Sequence, residues 1–188
     1  MKRALVTSLL CLVAFGASAE EVDSSKPVSA AQAFVTRATQ DGLAEIQMGK
    51  LAQTRSSDEK VKAFGARMVA DHTKANTELS AIAKRKNMDV PTDLDREHAT
   101  MVHTVSAKPP SEFDAEYGKH MIQAHDAAVT LFKDAAAVGD PDLASFAKKT
   151  LPTLQKHQQL AASLPSKLPP RAGLDGTDSL TPETESRQ

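Results

Sequence analysis

The chain has 188 residues, with 23 basic and 24 acidic side chains, a formal net charge of −1, one cysteine, no tryptophan and one tyrosine. This charge balance provides no electrostatic attraction to nucleic acid, and the scarcity of large aromatic side chains leaves no platform on which bases could stack. We therefore expect no nucleic-acid partner.

The first 19 residues have the three parts of a secretory signal peptide. A basic pair at residues 2 and 3 is followed by the apolar run ALVTSLLCLVAFG and then by the small residues ASA before Glu20. An apolar run of about 13 residues is too short to span a bilayer, which takes about 20, and no later segment is long and apolar enough. We predict cleavage after Ala19, a periplasmic or secreted protein, and no transmembrane segment.

Removal of this peptide changes the chemistry that is available to the chain. Cys11 is lost, so the remainder has no disulfide, no thiolate metal ligand and no thiol nucleophile. Loss of Lys2 and Arg3 takes the basic count from 23 to 21 against 24 acidic residues, a net charge of −3. The 169 residues that remain of 188 after removal of 19 are enough for one domain with a sizeable core.

Capping-box patterns open the first two long helices. Ser29 with Gln32 opens the first helix, and Ser56 with Glu59 opens the second, which should fade near Asn87. Apolar residues recur on one stripe of each helix at helical spacing. Each helix is therefore predicted to bury one face.

A shorter amphipathic segment before Pro109 predicts a connecting helix between the second and third long helices. Ser111 is predicted to cap the third long helix, which should end at Gly139. Asp140 as N-cap and Pro141 at the first helical position predict the start of the fourth. Four single-sided helices of this length predict an all-α four-helix bundle.

The segments on either side of the bundle differ from it in composition. Residues 20–28 are polar and end in Lys-Pro-Val, which predicts a flexible lead-in. Residues 165–188 are rich in Pro, Gly and hydroxyl side chains and have no apolar periodicity, which predicts a disordered tail. One folded domain is therefore expected over residues 29–164.

Each long helix has one ionisable residue on its apolar stripe. At a rise of about 1.5 Å per residue, all four lie near the middle of helices about 40 Å long, whichever way the third long helix runs. They are therefore predicted to form one layer in the core of the bundle. The four are Glu45, His72, His125 and His157.

Two interpretations of this layer stay open. Imidazoles and a carboxylate bind zinc, copper, iron or manganese, so the layer could hold one transition-metal ion, with Asp71 orienting an imidazole and Tyr117 donating a hydrogen bond. Alternatively, it is a structural polar layer that fixes helix register, with Asp71 a solvated charge and Tyr117 an ordinary core residue. No Glu-x-x-His pair stands at any of the four positions, which argues against a di-iron centre.

Four short motifs occur along the predicted bundle: EIQMGKLA, MVADHTKAN, FDAEY followed by His125, and LPTLQKH. In this order they resemble the exported bacterial proteins grouped as domain of unknown function 4142, over about residues 30–164. The resemblance implies a ferritin-like bundle and a bacterial periplasmic location, and it implies no established reaction. The family's recurrent motif positions fall on Glu45, Asp71, His72, Tyr117, His125, Pro152 and His157.

Three functions are compatible with these features. The first is metal binding or stress protection through the mid-bundle layer. The second is a non-catalytic binding or structural module whose polar layer only fixes helix register. The third is a redox enzyme of ferritin-like descent, which requires an open position on a metal. The sequence does not decide whether the protein is an enzyme.

Overall fold

The structure is a computed structural model that describes residues 28–137 and 139–166. These residues form five helices and no strand, and none of the helices combines the length and hydrophobicity of a membrane span. Four long helices form a bundle and a short one connects the second to the third, which confirms the predicted fold class. The helices are α1 (Ala30–Arg55), α2 (Glu59–Arg85), α3 (Arg96–Ser106), α4 (Pro110–Ala137) and α5 (Pro141–Ala161).

The predicted signal peptide lies outside the described residues. So does the predicted lead-in, except for Val28, and so does the predicted tail, except for Pro165 and Ser166. The backbone of Pro165 packs against Gly118 of α4, so closely that a Cβ atom at Gly118 would overlap the Pro165 carbonyl. The chain therefore still contacts the bundle at the first residue after the predicted domain end.

The helix directions follow from which residues share each end of the core. At one end, Phe34 near the start of α1 packs in a cluster with Leu79 near the end of α2 and Phe132 near the end of α4. At the other end, Ala52 from late in α1 lies in a cluster with Phe113 from the first turn of α4. Hence α4 runs parallel to α2, and α3 crosses the length of the bundle between them. One such long crossover is the topology of ferritin-like bundles.

Of the four predicted helix caps, two are confirmed and two are wrong. Ser29 caps α1 by accepting a hydrogen bond from the Gln32 N–H (3.1 Å), and Asp140 caps α5. The predicted cap at Ser56 is wrong, because Asp58 caps α2 and Ser56 ends α1. The chain leaves α1 in an extended conformation at Ser56, so three residues separate the two helices.

The predicted cap of the third long helix is also misplaced. Helix α4 begins at Pro110, one residue before Ser111. Proline suits the first helical position because it has no N–H to satisfy and its φ is already helical. The carbonyl of Pro109 accepts two backbone hydrogen bonds from the first turn. At its other end α4 stops at Ala137, two residues before the predicted Gly139.

The four side chains of the predicted layer lie between the two apolar clusters of the core. Close to this layer, the backbones of α1 and α2 touch. A Cβ atom on Gly49 would lie 2.6 Å from the carbonyl oxygen of Gly65, which is too close for any side chain. This contact brings α1 and α2 together one turn from Glu45 and two turns from His72, the residues that these helices contribute to the layer.

Candidate metal centre

The structure brings together the four residues of the predicted layer. All are buried, with 2% of Glu45, 7% of His72, 0% of His125 and 1% of His157 exposed. Oε2 of Glu45 lies 3.1 Å from Nε2 of His72, and Oε1 lies 3.5 Å from Nε2 of His125. One ring nitrogen from each histidine lies within 4.8 Å of the other two. The carboxylate and three imidazoles therefore surround one small volume.

The outer nitrogen of His125 is held by its own helix. Its Nδ1 lies 2.9 Å from the carbonyl oxygen of Met121, one turn earlier in α4. A carbonyl oxygen can only accept, so Nδ1 carries the proton and donates it. The neutral ring then directs the lone pair of Nε2 into the cluster.

A different group holds the outer nitrogen of His157. Its Nε2 lies 2.9 Å from Oδ2 of Asp71, whose side chain is 35% exposed. Because the carboxylate accepts, Nε2 donates and Nδ1 directs a lone pair inward. The structure thus places Asp71 of α2 against an imidazole of α5, and not as a free surface charge.

Four buried polar atoms of the cluster have no hydrogen-bond partner among the described residues. The 3.1 Å contact between His72 and Glu45 is short but lacks hydrogen-bond geometry. Buried polar atoms are nearly always paired with protein groups, with water or with an ion, so each exception needs an explanation. The four atoms are Oε1 of Glu45, Nε2 of His72, Nε2 of His125 and Nδ1 of His157.

Burial shifts the pKa values of the cluster in the directions that favour the uncharged side chains. Desolvation is the main cause that raises the pKa of Glu45 well above its usual range, and the charge of Asp41 adds to the shift. Desolvation is also the main cause that lowers the pKa of His72 well below its usual range, and the charges of His125 and His157 add to the shift. Desolvation also lowers the pKa of His125 to about 4 and is the main cause that lowers the pKa of His157. The folded protein therefore resists positive charge on these imidazoles.

Aromatic rings close one side of the cluster. The ring of Phe64 packs edge-on at 6.0 Å from His125 and 6.4 Å from His157, measured between ring centroids. Tyr117 packs against Phe64 at 6.2 Å. Its hydroxyl is buried and has no hydrogen-bond partner in the described part of the chain. The structure therefore does not show the hydrogen bond from Tyr117 that the metal interpretation included.

A small cavity adjoins the cluster on the side of the Phe34 end of the core. Its volume is about 30 Å³. Glu45, His72 and His157 line it, whereas His125 does not. Apolar side chains of the core such as Phe132 complete its inner wall. Open space therefore lies against three of the four residues.

A fourth buried histidine, His98 of α3, forms a network with two carboxylates that the sequence pattern did not predict. Its Nδ1 lies 2.7 Å from Oδ1 of Asp95, and its Nε2 lies 2.9 Å from Oδ1 of Asp41. Both nitrogens face carboxylates, so neither is free to bind a metal. The Asp95-x-x-His98 spacing is visible in the sequence, but the contact with Asp41 of α1 requires the position of α3 in the fold. This network fastens the connecting helix to α1.

Comparison with known proteins gives a family and a fold. A family model described as domain of unknown function (DUF4142) matches residues 17–164. The crystal structure of a DUF305 fragment from Deinococcus radiodurans has a TM-score of 0.63 at 16% sequence identity, and the match covers 73% of this chain and 97% of that chain. At this identity the similarity shows the fold alone. A search of curated proteins gives no match.

Proposed function

We propose that this chain, which belongs to the DUF4142 family, binds one divalent transition-metal ion in the middle of its helical bundle. Its ligands are Glu45, His72, His125 and His157. The observation that carries the proposal is the convergence of four buried polar atoms that have no hydrogen-bond partner in the described residues. Two of the three imidazoles are held so that a lone pair, and not an N–H, faces the shared space.

The ligand types and their spacing suit such an ion. Imidazole nitrogen and carboxylate oxygen bind zinc at about 2.0–2.2 Å, which places tetrahedral ligand atoms about 3.3 Å apart. The Glu45 oxygens lie 3.1 and 3.5 Å from the nitrogens of His72 and His125. The histidine nitrogens, all within 4.8 Å, would have to close by at most about 1.5 Å. Small side-chain rotations can supply a change of that size.

A cation also resolves the electrostatic problem of the cluster. A buried carboxylate has lost its solvation by water, and neutral imidazoles provide no charge to offset it. A divalent ion favours the ionised form of Glu45 and the neutral forms of the histidines at the same time. The four cluster atoms that lack partners among the described residues then each have one.

Purified protein is expected to bind one zinc or cobalt(II) ion per chain. His125→Ala removes a ligand and should abolish this binding. Asp71→Asn removes only the group that orients His157, and it should weaken binding by about 10- to 100-fold, as is usual for residues that hold a metal-binding histidine in place. Isothermal titration calorimetry and the visible absorption of the cobalt form measure both effects.

His103→Ala is the matched control, because it also removes an imidazole but at an exposed position of α3. Its stoichiometry and affinity should equal those of the unaltered protein. Equal losses in His103→Ala and His125→Ala would show that the ion is bound on the surface. Absence of binding for zinc, cobalt, manganese and iron(II) alike would leave the structural polar layer as the function of the cluster.

We also propose that the protein is exported and holds its ion outside the cytoplasm. The support is the basic, apolar and small-residue pattern of residues 1–19. Intact-mass analysis of the protein from a periplasmic or culture fraction is expected to give a chain that begins at Glu20. Ala19→Leu should block this cleavage, because the site requires a small residue there. A chain that keeps residues 1–19 in that fraction would refute the proposed cleavage.

A further inference from the structure

We infer that the bound metal keeps an exchangeable coordination position for a water-sized ligand, on the side of the small cavity. This inference rests on the metal binding proposed above. Four protein ligands close a tetrahedral structural zinc site, so the exchangeable ligand would take a fifth position, an expansion that catalytic zinc sites can undergo. An exchangeable position would therefore make this centre capable of reacting with small molecules.

The cavity has the location and size that an exchangeable ligand requires. It lies against Glu45, His72 and His157. Phe64 packs against His125 and His157 but does not line the cavity, so it covers a different side of the cluster. Its volume is about 30 Å³. One water molecule needs about 10–15 Å³ of cavity volume, so the cavity has room for about two water molecules. An ion among the four ligands would have protein on one side and this space on the other.

The wall of the cavity offers polar groups to a bound ligand. Thr150 and Thr153 of α5 line the cavity together with Asp71 and Asn76 of α2. A buried water makes about three hydrogen bonds on average, and these side chains offer both donors and acceptors. All four are partly or fully exposed to solvent. The cavity therefore opens between α2 and α5, which gives a small ligand a route in.

A larger neighbouring cavity is less suited to this role. It has a volume of about 330 Å³ and lies between α1, α3 and α4, where Asp41, His98 and His120 line it. Of the four proposed ligands, only Glu45 reaches it. A molecule bound there would meet one carboxylate, not the open side of a metal ion.

Size and charge define the class of ligand. A divalent ion and the Glu45 carboxylate together leave one positive charge. Two further carboxylates line the cavity: Asp41 is paired with Arg37, and Asp71 is 35% exposed and therefore partly screened. Water, hydroxide, small anions such as azide and neutral diatomic molecules such as nitric oxide match this space. Organic substrates of several non-hydrogen atoms exceed it.

The test uses the cobalt(II)-loaded protein and azide. The inference predicts a saturable change in the visible absorption of the cobalt as azide is added, with the metal retained. The iron(II)-loaded protein is titrated in parallel with nitric oxide and followed by electron paramagnetic resonance. Nitric oxide is uncharged, so the nearby carboxylates do not repel it as they would azide. If cobalt and iron(II) bind but neither probe changes the spectra, the position is closed and this inference fails while metal binding stands. If no metal binds, both proposals fail.

A pair of matched variants locates the ligand. Ala75→Val narrows the cavity from α2 and should weaken azide binding by at least about 10-fold, because added methyl groups in a packed space are poorly accommodated. Ala127→Val makes the same change on the wall of the larger cavity and should alter azide affinity by less than about 2-fold. Cobalt affinity, measured separately, shows that each variant is folded and loaded. Tight azide binding by Ala75→Val, or equal loss in both variants, would place the ligand elsewhere.

Discussion

Glu45→Gln is expected to abolish metal binding without destabilising the metal-free protein. Without metal, the Glu45 carboxyl is buried and its Oε1 has no hydrogen-bond donor among the described residues. Glutamine has the same shape, carries no charge to desolvate, and its amide can donate to an imidazole lone pair, a bond worth about 1 kcal/mol. The stabilisation by metal, about 2.7 kcal/mol at a hundredfold excess over its dissociation constant, should disappear.

Chemical denaturation with chelator and with excess zinc measures both parts of this result. Asp41→Asn is the control, since it removes a carboxylate one turn earlier on α1. Asp41 contacts His98 and Arg37, so its loss should lower the free energy of unfolding both with and without zinc, while zinc still stabilises the variant. A loss above about 2 kcal/mol in metal-free Glu45→Gln would mean that the carboxyl is a structural partner of the imidazoles. The metal proposal would then lose its main support.

Acid is expected to destabilise the metal-free protein between about pH 6.5 and 4. Burial lowers the pKa of His125 from 6.5 to about 4. Above this range the residue is neutral in both the folded and unfolded chain, whereas within it the unfolded chain binds a proton that the folded chain does not. The shift corresponds to about 3 kcal/mol of stability lost by pH 4. The lowered pKa values of His72 and His157 act in the same direction.

The raised pKa of Glu45 acts in the opposite direction. The proton that the folded protein retains on this carboxyl stabilises the fold at low pH, and that contribution is lost as the pH rises through the folded-state pKa. A bound cation replaces the proton, so stabilisation by metal should increase with pH and binding should release a proton.

Denaturation at several pH values, with chelator and with zinc, measures the difference in the free energy of unfolding between the metal-free and the zinc-bound protein. Calorimetric titrations in buffers of different ionisation enthalpy count the released proton. His125→Ala removes the imidazole whose pKa burial lowers to about 4, and it should flatten the acid limb of the metal-free curve. Stabilisation by zinc that stays constant from about pH 5 to 8 would rule out ligation by these residues.

The mid-bundle layer could be predicted because it depends on helix geometry alone. Glu45 and His72 lie near the middle of adjacent helices, and His125 keeps the same depth whether α4 runs up or down. The direction of α4 itself could not be predicted, because it depends on how α3 crosses the bundle.

The helix caps could be predicted only in part from the sequence. Ser56 and Asp58 are both acceptable caps in sequence, and the exit of the chain from α1 selects the second.

The contacts around the layer were harder to predict than the layer. Asp71 is next to His72 in sequence and therefore points about 100° away around α2. Its partner on α5 depends on how α2 and α5 face each other, which no local pattern describes. The contact between Asp41 and His98 has the same origin, since it joins residues that are 57 positions apart. Periodicity identifies buried faces, whereas pairing across helices requires the packed bundle.

The four residues that surround the centre come one from each long helix and extend from position 45 to position 157 of the chain. A partly folded chain that lacks any one helix cannot present the complete set. Because a metal would hold together groups that meet only when the bundle is finished, it should slow unfolding more than it speeds folding. The half-life of the folded protein, and with it the resistance to proteases that attack opened chains, would then depend on the supply of metal in its surroundings.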